Sequence, residues 1–166
     1  MPVTIEPALY PYLLVVAANM RERDREEIFG MWWEDDPEFL ARKLAGLSKT
    51  SDDMAYVACS AEGVPVCAFG FYEMWPGMWS AWMFATDQLP KVAKTVIKFL
   101  RKKCLPELLR RGAHRVECKA HENNAWAGNF IERMGGVKET VMLDYGRDRS
   151  NYVLYRWLRA DHEETS

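Results

Sequence analysis

Apolar and polar positions change their period several times along the chain, and each change marks an element. Val-Thr-Ile at 3–5 is a short β-prone start, and Pro7 opens the first helix. Asn19–Phe29 follows as a densely charged stretch, with acids and bases at i, i+3 and i+4, the pattern of a solvated helix ended by Gly30. Asp36-Pro37-Glu38 reads as a helix start: an N-cap residue, proline in the first turn and an early acid. Leu40, Leu44 and Leu47 continue it as an apolar stripe, and Ser48–Asp53 breaks the pattern.

Three strand-like runs come next: Met54–Ser60, Pro65–Trp75 and Met78–Ala85. The turns Glu62-Gly63 and Pro76-Gly77 separate them, so they predict an antiparallel meander. Pro90–Arg111 is a long amphipathic helix with Val92, Val96, Phe99 and Leu100 on its apolar stripe. Pro106 kinks it and Gly112 caps it. His114–Ala120 alternates as a strand. Asn123–Met134 is a further helix closed by Gly135-Gly136, and Val137–Tyr145 with Asn151–Leu158 forms a hairpin. The predicted order is β-α-α-β-β-β-α-β-α-β-β, an α/β fold in one domain over residues 1–159. Residues 160–166 follow as a polar, mobile tail.

Composition refines this picture without redirecting it. The 166 residues carry a net charge of −2 with 28% charged, a length that suits one domain and a balance that gives no general nucleic-acid binder. The four cysteines, Cys59, Cys67, Cys104 and Cys118, show no zinc or redox spacing and read as reduced and mostly buried. The N-terminus lacks the basic and apolar regions of a signal peptide, and no apolar run is long enough to cross a bilayer. The expectation is therefore a protein that is not secreted and does not engage membranes. Seven Trp, seven Tyr and seven Phe supply core volume or a contact surface. Among the tryptophans, Trp82 reads as core, while Trp75 and Trp79 flank a turn and are harder to bury.

Asn124-x-x-Ala127-x-x-Phe130-Ile131-Glu132-Arg133-Met134-Gly135-Gly136, placed after a strand, resembles the last conserved stretch of GCN5-related N-acetyltransferases (GNAT). The resemblance implies a mixed, mostly antiparallel central sheet flanked by helices. Trp82-x-Phe84-x-Thr86-Asp87-Gln88, with the lysine-rich helix through Phe99 and Arg101-Lys102, is further similar to the GNAT-like internal virion proteins of short-tailed phages. That second likeness implies location in a virion or a host cytoplasm. The partners it implies are other virion proteins or a host protein, with self-association.

GNAT enzymes hold the pyrophosphate of acetyl-CoA on backbone N–H groups at the start of the central helix, where glycines let phosphate approach closely. The matching segment here is Thr86–Lys94, and no glycine occurs between Gly77 and Gly112. Pro90 removes a donor and Asp87 adds a negative charge, while Lys91 and Lys94 compensate as point charges. If acetyl-CoA binds, Phe84, Ala85, Gln88, Lys91, Lys94 and Asn124 are the positions expected to meet it; Asn124 also reads as a plain helix cap. The tyrosine that protonates the departing thiolate in many members corresponds to Ile131.

Candidates for a general base are Glu73, Asp87 and His121. Each also has a plain reading: a solvated acid by a turn, a helix N-cap and a surface histidine. The stripe Lys91, Lys94, Lys98, Arg101, Lys102 and Lys103 reads as a solvated face or as a surface for DNA or an acidic protein. No metal site is expected. The two lost features and the phage likeness lead to the expectation of a virion-associated structural or assembly component with a degenerate acetyl-CoA site, no efficient acetyl transfer and no cofactor. The alternatives are an acyl-CoA-dependent N-acetyltransferase acting on a small amine or a host protein, and a phage protein that binds a host factor.

Overall fold

The structure is a computed structural model and describes residues 2–50 and 54–163. Seven strands form one sheet in the order β1-β2-β3-β4-β5-β7-β6. They are β1 (Thr4–Pro7), β2 (Ala55–Cys59), β3 (Pro65–Trp75), β4 (Met78–Ala85), β5 (Arg115–His121), β6 (Val137–Met142) and β7 (Tyr152–Leu158). The predicted meander is β2-β3-β4, and every neighbouring pair is antiparallel except β4 with β5.

Helices α1 (Tyr10–Ala18), α2 (Glu22–Gly30) and α3 (Pro37–Thr50) lie between β1 and β2. The three match the three helical stretches read from the sequence, of which the predicted element order counts two. Pro7 ends β1, and Pro11 in the first turn opens α1 instead. Asp36 caps α3 as expected, its Oδ1 accepting the N–H groups of Glu38 (3.0 Å) and Phe39 (3.2 Å).

The long central helix is a composite: a 3-10 turn Leu89–Lys91, α4 (Ala93–Phe99), a π turn Leu100–Cys104 and α5 (Leu105–Arg110). The expected irregularity at Pro106 takes the form of that π turn, since a proline cannot complete the i→i−4 ladder. Gly112, at φ +85°, ends α5, and the Ala113 N–H reaches back to the Leu108 carbonyl. Gly135 ends α6 (Ala125–Arg133) in the same way. Part of the predicted tail is ordered as α7 (Arg159–Glu163).

Each face of the sheet carries its own core. Leu13, Val16, Phe29, Leu40 and Leu44 pack on Val57 and Phe84 on the α1–α3 face. Val96, Leu100 and Leu108 pack on Val66, Phe69 and Trp79 on the other. Trp79 is fully buried, whereas Trp82 is half-buried and stacks on Phe84, which reverses the expectation for these two residues. Strand alternation explains it: position 79 faces the central helix, and position 82 faces the looser α1–α3 side near an opening in the sheet. Trp75 is exposed. The four cysteines are free, three of them buried and Cys118 half-buried.

Candidate active site

The opening lies between β4 and β5. These strands pair in parallel through Met78–Arg115, Trp79–Val116 and Ser80–Glu117. Beyond that point β4 continues to Ala85 and β5 to His121 without pairing to each other, so the sheet splays into two arms. Helix α2 spans the splay with two carboxylates one turn apart. Asp24 Oδ2 accepts the Ala85 N–H at 2.8 Å, on the β4 side. Glu27 Oε1 accepts the His121 N–H at 2.8 Å, on the β5 side.

Asp24 is paired as well as buried. The Arg21 guanidinium holds both of its oxygens at 2.8–3.2 Å and lies 4.5 Å from the centroid of the Trp126 ring. Arg21, Asp24 and Glu27 are all buried, so the charged stretch read as solvated turns one charged face inward. The i, i+3 spacing of 21, 24 and 27 was the available signal; it places three charges on one helical face. Spacing alone does not say whether that face meets water.

Burial pushes the Glu27 carboxyl from 4.5 up to about 7, helped by the nearby charge of Asp24 and opposed by the bonds from His121 and Asn124. Asp24 is also raised, by burial first, against the pull of Arg21. Asn124 Nδ2 donates to Glu27 Oε1 at 3.2 Å, so both recorded bonds to Glu27 fall on that oxygen. The buried side-chain polar atoms without a partner, among the described residues, are the indole nitrogens of Trp32 and Trp79. Oε2 of Glu27 therefore reaches the adjoining space, which is a cavity of about 430 Å³ running through the splay. Ile28, Leu40, Leu44 and Trp82 wall it on the α1–α3 face, and Leu100, Trp126, Phe130 and Ile131 on the other. Cys118 also lines it, but burial lifts its thiol to about 12 and leaves it protonated and unreactive.

The residues singled out from the sequence scatter around this centre. Glu73 sits at the closed end of β3–β4, where its Oε1 accepts the turn N–H of Gly77 at 2.9 Å. Asp87 is exposed in the turn after β4; the hydroxyl of Thr86, not Asp87, takes the Gln88 N–H there. His121 reaches Glu27 through its backbone, while its ring packs on Tyr152 and its Nδ1 accepts the Asn123 N–H. None of the three lines the cavity, and Glu27, which sequence reasoning missed, does.

Of the positions expected to meet a cofactor, Ala85 is already taken: its N–H bonds Asp24 and its C=O accepts the Arg21 N–H. Phe84 packs into the α1–α3 core and lines that side of the cavity. Gln88, Lys91 and Lys94 are exposed around the helix start. Asn124 fills its cap reading and makes a second bond that the sequence did not suggest. Its Oδ1 caps α6 by accepting the Ala127 N–H, and its amide steadies the buried acid.

Searched against known proteins, the chain matches no family model and no curated protein. Solved structures do match, over nearly the whole chain. Ard1 of Thermoplasma volcanium aligns with TM-score 0.69 at 16% identity, covering 95% of this chain and 98% of that one. An N-acetyltransferase of Staphylococcus aureus Mu50 aligns with TM-score 0.74 at 10% identity, covering 95% and 99%. YncA of Salmonella typhimurium, solved with its cofactor acetyl-CoA, aligns with TM-score 0.70 at 12% identity, covering 95% and 94%. The fold is the GNAT fold.

These neighbours correct the expectation of a non-catalytic virion component. The Staphylococcus aureus protein is described as an N-acetyltransferase and YncA as a putative acetyltransferase, which favours the acetyltransferase alternative; nothing in them points to a phage particle. The residues present fit one part of acetyl-CoA well and another differently. Along β4, the Ala85 N–H and C=O point into the splay, so alternation turns the Met83 N–H the same way, three residues past the last pairing with β5. An extended thioester arm fits that edge and the apolar walls. For the diphosphate the turn before α4 offers less: Pro90 has no N–H, and those of Gln88, Leu89, Lys91 and Val92 bond within the turn. The exposed side chains of Lys91 and Lys94 add positive charge at this helix start. Among the described residues, no helix is long and apolar enough to cross a membrane, and no His, Cys, Asp or Glu group is placed to hold a metal.

Proposed function

We propose that this chain is a GNAT-type N-acetyltransferase that moves an acetyl group from acetyl-CoA to a primary amine. The observation that carries it is Glu27, a buried carboxyl raised to about 7, opening by one oxygen into an apolar passage between the splayed strands. A base with that affinity for protons is half ionised near neutrality, which suits it to take a proton from an ammonium group.

Acetyl-CoA supplies, when bound, an acetyl carbonyl activated as a thioester. Glu27 Oε2 takes the proton that leaves the acceptor nitrogen, and its Oε1 stays held by His121 and Asn124. The Met83 N–H, which faces the splay, would be the donor available to the acyl oxygen. Phe130, Ile131 and Leu100 keep water from the passage. Ile131 holds the place where the resemblance has a proton-donating tyrosine, and it contributes apolar wall alone. Lys91 and Lys94 would hold the anionic end by charge.

Calorimetric titration with acetyl-CoA and an amine-dependent thiol-release assay test this together. The expected result is binding tighter than about 100 μM, about −5.5 kcal/mol, with turnover that falls about 10²–10⁴-fold in Glu27→Gln. A protein that neither binds acetyl-CoA nor releases thiol in the presence of any amine refutes the reading.

A further inference from the structure

We infer that the acceptor is a monoamine carried on an apolar, aromatic or branched aliphatic body, and that residues of α2, α3 and β4 select it. The inference rests on the acetyltransferase reading and adds the class of substrate to it. The central helix and α6 flank one mouth of the passage, so the thioester arm enters there and the amine approaches Glu27 from the α1–α3 side.

That side of the cavity is walled by Ile28, Met31, Trp32, Leu40, Leu44 and Trp82. Two aromatic pairs stiffen it, Trp32 on Phe39 at 5.7 Å and Trp82 on Phe84 at 5.7 Å. The charges at its floor are spent. Asp24 is neutralised by both forks of Arg21, and Arg21 is covered by Trp126. Glu27 is left as the acid that can meet one ammonium group. An amine with a ring or branched chain behind its nitrogen buries that body against the wall. A second ammonium in the same body would enter the wall with no counter-charge, which desolvation opposes strongly.

The competing site for a polycation is a second cavity of about 590 Å³, where Glu22, Glu26, Asp35 and Asp148 stand among Arg25 and Arg147. Neither Glu27 nor any residue of β4 lines it, so an amine held there stands away from the edge that would receive the thioester arm; His121, which does line it, has its Nδ1 taken by the Asn123 N–H.

The test compares kcat/KM for 2-phenylethylamine and isoamylamine with that for spermidine, lysine and glucosamine, using acetyl-CoA as donor. At least a tenfold advantage for the apolar monoamines is expected. Leu44→Ala, which widens the wall, is expected to shift preference about tenfold toward a bulkier amine such as tryptamine, with the KM for acetyl-CoA unchanged. Equal or better turnover of spermidine, lysine or glucosamine overturns the inference and leaves the acetyltransferase reading standing. So does a Leu44→Ala enzyme, folded by circular dichroism, whose preference has not moved. Acetyl-CoA binding without turnover of any amine in either set also overturns it. Loss of both binding and turnover removes the acetyltransferase reading itself.

Discussion

Asn124 donates its side-chain amide to Glu27 Oε1 at 3.2 Å and accepts the Ala127 N–H on its own oxygen at 3.2 Å. One side chain thus fixes the start of α6 and one oxygen of the buried acid. Because its bond favours the ionised carboxylate, Asn124→Ala should raise the acidic limb of the pH–rate profile. Loss of the cap and the buried bond should cost about 1–2 kcal/mol of stability. Asn124→Asp keeps the cap but adds a negative charge, and should move the limb further up. A pH profile of kcat/KM with denaturant unfolding checks both.

The Glu27 carboxyl also sets a slope of stability with pH. Its affinity for the proton is about 7 folded against 4.5 in the free side chain, so the folded state holds the proton more tightly between those values. The contribution is full below about 4.5 and is lost as pH rises through about 7, on the order of 3 kcal/mol. Glu27→Gln should flatten that loss and be the more stable protein at pH 8. Thermal midpoints of the two proteins from pH 5 to 9 measure it.

Gly30 ends α2 against Tyr152, whose hydroxyl donates to the Glu27 carbonyl at 2.7 Å. A Cβ at position 30 would run into that hydroxyl. Gly30→Ala should therefore break the bond, shift the end of α2 and cost about 1–3 kcal/mol. Chemical denaturation reads the stability, and turnover should fall with it as Glu27 moves.

Lys91 and Lys94 are exposed and bring charge, not geometry, to the helix start. Lys91→Glu with Lys94→Glu should raise the KM for acetyl-CoA about tenfold, roughly 1.4 kcal/mol, with little change in kcat. The wild-type KM should rise with added salt and that of the double variant much less, since exposed charges are screened.

Local rules made much of this fold legible in the sequence. Asp36, Gly112 and Gly135 mark their helix ends because a cap is decided by a few adjacent residues. The Asn124–Gly136 stretch likewise lies on one helix and its exit. The splay was not legible, because β4 and β5 are far apart in sequence and no local period encodes where a parallel pairing stops. Glu27 stayed hidden for the same reason. Its neighbours Arg23, Arg25 and Glu26 make the stretch look hydrated, and its partners His121 and Asn124 lie more than ninety residues away.

Helix α2 has a mechanical consequence. Its two carboxylates grip one backbone amide on each arm of the sheet, Ala85 on β4 and His121 on β5, where a strand ladder would otherwise run. The arms are therefore hinged at Ser80–Glu117 and latched at their far ends by one helical turn. The latch should leave a mark in hydrogen–deuterium exchange. The amides of Ala85 and His121 should exchange slowly although they do not pair strand to strand across the splay, and both should speed up together in a variant that frees α2.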